Sequence, residues 1–189
     1  TPYDDTGRMA EALNEIMPEQ HNGPYDMLDI LELVVDRGTL LQNHEQYAPN
    51  AITAFARFDG RSVGIVANQP AVLSGSLDLD SSDKISRFIR ICDMFNIPLV
   101  TFVDCPGYLP GVDQEYNGVI RHGAKIIYAY AQATVPKLSV ITRKAIGGSY
   151  VAMSSKQMGN DIAFAWPSAQ IAVMGAEGAA KLLHSKALK

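Results

Sequence analysis

The sequence predicts an α/β fold, and three observations carry that expectation. From Leu99 onward, apolar β-branched runs alternate with amphipathic stretches of helical period. Short loops bearing Gly or Pro separate them, as strand–helix–strand units with right-handed crossovers and a largely parallel sheet require. The 189 residues are 47% hydrophobic and 19% charged, enough for one domain with a sizeable core and too few for two.

Each element has its own signal. Residues 9–17 form a short amphipathic piece ended by Pro18, and Asn22-Gly23-Pro24 is a turn. A helix opens at Pro24-Tyr25-Asp26, with Asp26 favouring its first turn and Leu28, Leu31, Val34 and Val35 recurring at helical spacing; Gly38 ends it. Residues 52–58 and 62–67 alternate around Asp59-Gly60-Arg61, a hairpin. The helix between Asp80 and Pro98 is capped by Ser81 and buries Ile85, Phe88, Ile89, Cys92 and Phe95. Strands follow at 99–103 and 138–142, with a helix over 118–133 between them. A helix over 151–158, short strands at 162–166 and 171–174, and a last helix from Gly178 to the end complete the reading.

Composition excludes several classes of function. The net charge of -4 gives no electrostatic case for nucleic acid, and no apolar run reaches membrane-spanning length. The chain lacks an initiator Met and a signal-peptide pattern, so it reads as a cut chain. Cys92 and Cys105, the only cysteines, form no CxxC pair and point to free thiols in a reducing compartment. His21, His44, His122 and His184 sit in unrelated contexts, and no metal-spaced His or Cys pair occurs. Arg121, His122 and Lys125 share a helix face, which reads as solvated or as a meeting place for an anion. Asp78, Asp80 and Asp83 mimic a metal loop, but the helix start favours capping. Chemistry here rests on backbone donors rather than on titratable side chains.

Two loops follow strand carboxyl ends, where open α/β sheets place ligands. The first, residues 104–111, is stiffened by Pro106 and Pro110 and freed by Gly107 and Gly111. The second is the run Arg143-Lys144-Ala145-Ile146-Gly147-Gly148-Ser149-Tyr150. A strand passing through two glycines into a helix leaves backbone N–H groups facing open space, suited to an oxygen that gains negative charge. A turn that only lets strand and helix pack closely has the same sequence.

Five blocks in register then carry a resemblance. They are Gly64-Ile65-Val66-Ala67-Asn68-Gln69-Pro70, Leu77-Asp78-Leu79-Asp80-Ser81-Ser82-Asp83-Lys84, and Phe102-Val103-Asp104-Cys105-Pro106-Gly107-Tyr108-Leu109-Pro110-Gly111. Ile141-Thr142-Arg143-Lys144-Ala145-Ile146-Gly147-Gly148-Ser149-Tyr150 is the fourth, and Ala165-Trp166-Pro167-Ser168-Ala169 through Val173-Met174-Gly175-Ala176-Glu177-Gly178-Ala179 the fifth. Together they resemble the carboxyltransferase (β) subunits of biotin-dependent acyl-CoA carboxylases, of the propionyl-CoA carboxylase and methylmalonyl-CoA carboxyltransferase type, and the related decarboxylases.

The resemblance implies a crotonase-like superhelix of ββα units rather than a flat doubly wound sheet. It implies that the chain is a linker with N-terminal helices (1–50) and a second crotonase-like domain (51–189) shortened at its C-terminal end, with the first domain missing. It assigns the N–H groups of Gly148 and Ser149 to the ureido oxygen of carboxybiotin, whose ureido nitrogen takes the α-proton of an acyl-CoA. It brings Gly147, Tyr150, Val151, Pro106 and Gly107 to the substrate. Val151 falls at the position that selects acyl length, and its apolar side chain favours a short acyl group such as propionyl. Ser149 stands where many members carry Ala. The implied partners are acyl-CoA, a biotin carrier or biotin carboxylase subunit and further copies of the chain, hexameric in the family, in bacterial or archaeal cytoplasm or in the mitochondrial matrix. No metal is implied. A hydratase of the same fold would need paired acidic residues near Gly147, and none lies there in sequence. Decarboxylation by the reverse transfer and a non-catalytic assembly role are the competing expectations.

Overall fold

The computed structural model describes residues 4–20 and 22–184. His21 and the part of the expected last helix beyond His184 lie outside them.

Seven strands form one sheet: β1 (Leu41–Asn43), β2 (Ala51–Phe58), β3 (Arg61–Asn68), β4 (Leu99–Cys105), β5 (Lys137–Ile146), β6 (Ile162–Ala165) and β7 (Gln170–Ala172). Strands β1 to β3 are antiparallel, and the predicted hairpin joins β2 to β3 with Phe58 opposite Arg61. From β3 to β6 the neighbours are parallel, and β7 pairs with the far end of β5. The spatial order is the chain order, β1 through β6. A nucleotide-type sheet would reverse direction at a switch point, and this one does not.

Helix placement explains why the chain spirals. Helices α2 (Leu79–Met94) and, after the short α3 (Val112–Tyr116), α4 (Val119–Gln132) are the crossovers from β3 to β4 and from β4 to β5. Both bury their apolar stripes on the same face, where Ile85, Phe88, Ile89, Ile126 and Tyr130 meet Leu99, Val103 and Ile141. The other face is covered by α1 (Met27–Val34), whose Met27, Ile30 and Leu31 pack on Ile52, Ile65 and Phe102. Residues of β3 and β4 therefore alternate between two cores, Ile65 and Phe102 to one and Val66 and Val103 to the other, as a strand buried on both sides must.

Several local expectations are corrected. The cap of α2 is Asp78, whose carboxylate accepts from Ser81 N while Ser81 Oγ accepts from Asp78 N; Ser81 is the reciprocal member of the capping box. Phe95 is the exposed C-cap of α2 rather than part of its buried face. The expected helix over 151–158 is α5 (Gly147–Ala152), followed by a single 3-10 turn at Lys156–Met158. It opens straight out of β5 and stops where Ser154 turns into the left-handed region, φ 53°. The N-terminal amphipathic piece is one 3-10 turn, Glu11–Asn14. No helix among the described residues is long and apolar enough to cross a membrane.

Candidate active site

The carboxyl ends of β3, β4 and β5 meet around one buried carboxylate. Asp104 is fully buried; its Oδ2 accepts from Arg143 Nε at 2.9 Å and its Oδ1 from Lys144 N at 3.1 Å. Arg143 also donates from Nη1 to Gly23 O at 2.7 Å, and its guanidinium lies 4.9 Å from the Tyr25 ring centroid. Lys144 Nζ donates to Asn22 Oδ1 at 2.8 Å, and Tyr25 and Thr142 share a hydroxyl hydrogen bond at 3.1 Å. Burial, followed by the Asp104 charge, raises the pKa of the Tyr25 phenol. The whole cluster is polar and internally paired, which is the condition for burying it.

Three residues beyond this cluster, β5 ends and α5 begins. Gly147 has φ 63°, in the left-handed region that a side chain disfavours, and a Cβ there would come within 3.1 Å of Val173 O. The N-cap of α5 is Ile146, which caps with no side chain. Gly148 and Ser149 are thus the second and third residues of the helix, positions whose N–H groups have no carbonyl one turn back. Neither N–H takes part in a bond outside the helical ladder. Gly148 is exposed, and a Cβ placed on it would meet nothing within 4 Å. Ser149 is fully buried, and its hydroxyl donates to Ile146 O at 2.8 Å, so the hydroxyl is held by its own turn.

The two predicted loops come together. Cys105 pairs with Ala145 in the ladder, and its thiol is within hydrogen-bonding reach of the Ser149 hydroxyl. Pro106 and Gly107 are half-buried; Gly107 O accepts from Leu77 N, and Leu109 N donates to Leu77 O, so this loop is stitched to the segment that leads into α2. Burial pushes the Cys105 thiol up to about 11, which rules it out as a nucleophile near neutrality. Tyr150 turns toward the core under α2 and α4, whereas Val151 is 37% exposed beside the turn.

The remaining sequence candidates lie apart. Asp83 accepts from Lys125 Nζ at 2.7 Å and lies 3.0 Å from His122 Nδ1, so the helix-face cations join α2 to α4. Asp78 caps α2, and Asp80 accepts from Tyr47. Three clefts lie elsewhere, one of about 310 Å³ between His44, Asp83 and Arg87, a second beside Asp4 and Asp59, and a third of about 570 Å³ between Met9, Met17 and Trp166. None of these three is lined by Gly148 or Ser149, and the space in front of Gly148 is open. Sequence reading missed the Asp104–Arg143 pair. Its one signal was the single charge Asp104 in an apolar strand, with Arg143-Lys144 near the end of the next.

Comparison with known proteins gives the site its relatives. The chain is 58% identical over 97% of its length to the methylmalonyl-CoA decarboxylase subunit alpha of Veillonella parvula. It is 55% identical, over its full length, to the propionyl-CoA carboxylase carboxyltransferase subunit of Haloferax mediterranei. In each case it spans 36% of the relative. A crystal structure of transcarboxylase 12S, with methylmalonyl-coenzyme A and methylmalonic acid bound, superposes with a TM-score of 0.95 at 55% identity, over 99% of this chain and 36% of that one. The β subunit of P. aeruginosa geranyl-CoA carboxylase superposes at TM-score 0.87 and 28% identity, over 100% of this chain and 35% of that one. These neighbours have the crotonase fold, and so does this chain, in agreement with its sequential strand order. The carboxyl transferase domain profile matches residues 1–189, and with an α5 turn and a buried Asp104 anchor set on that fold, the chain belongs to the carboxyl transferase domain family.

Proposed function

We propose that the chain is the carboxybiotin-facing part of a carboxyltransferase that moves a carboxyl group to the α-carbon of a short acyl-CoA, propionyl-CoA giving methylmalonyl-CoA. The observation that carries the reading is the pair of helix-start N–H groups at Gly148 and Ser149, with open space in front of Gly148. The biotin ureido group, when bound, supplies both the carboxyl group and the base for the α-proton. The chain's part is electrostatic: two fixed donors at the positive end of α5 stabilise negative charge on an oxygen, at no reorganisation cost. Gly148 lets that oxygen come close, and the Ser149 hydroxyl is engaged by Ile146 O. In this reading Gly147, Tyr150, Val151, Pro106 and Gly107 are the residues that meet substrate. Biotin on a carrier subunit, acyl-CoA and further copies of the chain are the proposed partners, in the cytoplasm or mitochondrial matrix. Residues 1–50 serve as linker and N-terminal helices, and 51–189 as the carboxyltransferase domain. The segment by itself offers one set of donors and is expected to be inactive.

The same donors serve the reverse transfer, and the 58% identity to a decarboxylase subunit favours a decarboxylase as the second reading. Carbon dioxide release from methylmalonyl-CoA that depends on a membrane partner supports it; ATP-dependent carboxylation with a biotin carboxylase supports the first.

The test of the site is Gly148→Pro in the complete protein. Proline is tolerated in a helix's first turn but deletes the donor. Transfer is expected to fall about 10²–10³-fold, as for loss of an oxyanion donor. Normal turnover removes the role.

A further inference from the structure

The geometry points to Asp104 as the positioning residue that sets the register at which β5 delivers the glycine turn; this rests on the reading of Gly148 and Ser149 as the donors. Strands β4 and β5 pair Val103 with Ile141 and next Cys105 with Ala145. One residue, Asp104, therefore stands opposite three, Thr142, Arg143 and Lys144. In place of ladder bonds, its carboxylate accepts from Arg143 Nε at 2.9 Å and from Lys144 N at 3.1 Å. Val103 O accepts from Thr142 Oγ1 at 3.1 Å.

The anchor is itself fixed. Asp104 N donates to Asn68 Oδ1 at 3.2 Å, Asn68 Nδ2 donates to Gly75 O at 3.1 Å, and Asp104 O lies where a Cβ on Gly75 would fall. All three strand ends thereby meet at one residue, β5 at the Asp104 carboxylate and β3 at the Asp104 backbone N–H.

Apolar patterning cannot do this job. Sliding β5 by one residue would turn its buried side chains to the wrong face, so one-residue slips are excluded. A two-residue slip keeps every side chain on its face and would close the bulge. It would also carry Gly147 to Ser149 about 6–7 Å along the strand, out of reach of an oxygen held by the rest of the site. A buried ion pair is a poor source of stability, and fixing a register is its best-attested use. Here Asp104 is 0% and Arg143 4% exposed, and both sit at the one place where the ladder is ambiguous. Bulges of this kind are common next to active sites because they re-aim the residues beyond them.

The experiment uses the complete protein with its biotin carrier and propionyl-CoA. The double variant Asp104→Leu/Arg143→Met replaces the ion pair with apolar groups of similar size, an exchange that is often neutral for stability. Its melting temperature is expected to fall modestly, because Lys144 N–H and Gly23 O lose their partners, while kcat per folded molecule falls on the order of 100-fold, the scale of a lost oxyanion donor, with KM for propionyl-CoA nearly unchanged. Hydrogen exchange at amides 143–149 should quicken at least tenfold, with that of β2 and β3 unaltered. A merely structural pair gives the opposite result, a folded double variant with full turnover and unchanged exchange, and that overturns the role. If the double variant does not fold, Asp104→Asn, which keeps one acceptor, is read the same way; a tenfold loss of kcat per folded molecule supports the role and full turnover overturns it. Gly148→Pro in parallel separates the two ideas. Loss in that variant with normal turnover in the Asp104 variants removes the register role alone, and normal turnover in Gly148→Pro removes the donor reading on which it stands.

Discussion

The phenol of Tyr108 occupies the space a side chain would need at Gly123: a Cβ there would lie 2.5 Å from the Tyr108 hydroxyl oxygen. This close approach seats the loop after β4 against α4, on the same core as Ile126 and Met153. With the backbone bonds between that loop and Leu77, it fixes Pro106 and Gly107 at the carboxyl end of β4.

Gly123→Ala tests that seat. Alanine favours the helix but drives into Tyr108, and overpacking of a filled site costs about 1–3 kcal/mol, more than the helix propensity returns. Urea unfolding is expected to show a net loss, and Tyr108→Leu in the same background should recover part of it.

Val151→Asp tests substrate selection. Val151 is in the last turn of α5, within one turn of Gly148 and partly open to solvent. A carboxylate there opposes an apolar acyl tail, and one methylene in such a pocket is worth about 1–3 kcal/mol. The ratio of kcat/KM for propionyl-CoA over acetyl-CoA should therefore shift by roughly tenfold or more in the complete protein. An unchanged ratio means that Val151 does not touch the acyl group.

The two thiols make stability fall in alkali. Burial pushes Cys92 up to about 12 and Cys105 up to about 11, against about 8.5 for an unfolded thiol. A raised folded value means that the unfolded chain releases these protons first. The contribution is whole below about pH 8.5 and is lost as pH rises through the folded values. The melting temperature should decline from pH 8.5 to 10.5, less steeply in Cys92→Ala/Cys105→Ala. Both thiols should resist an aromatic disulfide reagent at pH 8 until urea is added. Rapid labelling of the native chain would contradict the burial.

The segment by itself should self-associate. Ile162 and Phe164 on β6, Ile171 on β7, Val173 beyond it, and Leu182 and Leu183 on α6 (Ala176–Leu183) are all exposed. Apolar surface of this extent is unusual on a monomer. Light scattering at micromolar concentration is expected to report dimers or larger, and a clean monomer would refute it.

Most of the strand and helix order was legible because periodicity and turn chemistry act locally. Asp59-Gly60 named its hairpin, and Ile85, Phe88, Ile89 and Cys92 named the buried face of α2. The start of α5 was not legible, because two glycines read as loop by propensity. Here the first of them supplies the left-handed φ that lets a strand turn directly into a helix. The strand–glycine–helix pattern was legible as a turn with free N–H groups, the resemblance is what proposes Gly148 and Ser149 as donors, and the Asp104–Arg143 pair was legible in neither. Asp104 and Arg143 are 39 residues apart, and nothing local ties one to the other. Only the pairing of β4 with β5 brings Asp104 to Arg143.

The bonds that finish the turn's foundation span nearly the whole chain: Arg143 to Gly23 across 120 residues, Lys144 to Asn22 across 122, and Tyr25 to Thr142 across 117. Contacts so distant carry the loop-closure entropy of everything between them and are made after the local hairpin and helices have formed. The glycine turn is therefore expected to mature late in folding, when the N-terminal segment docks on β5. Substitutions at Asn22, Gly23 or Tyr25 should mainly quicken unfolding and leave the folding rate nearly unchanged. Any interval between synthesis of β5 and that docking is one in which the chain is compact but not yet competent.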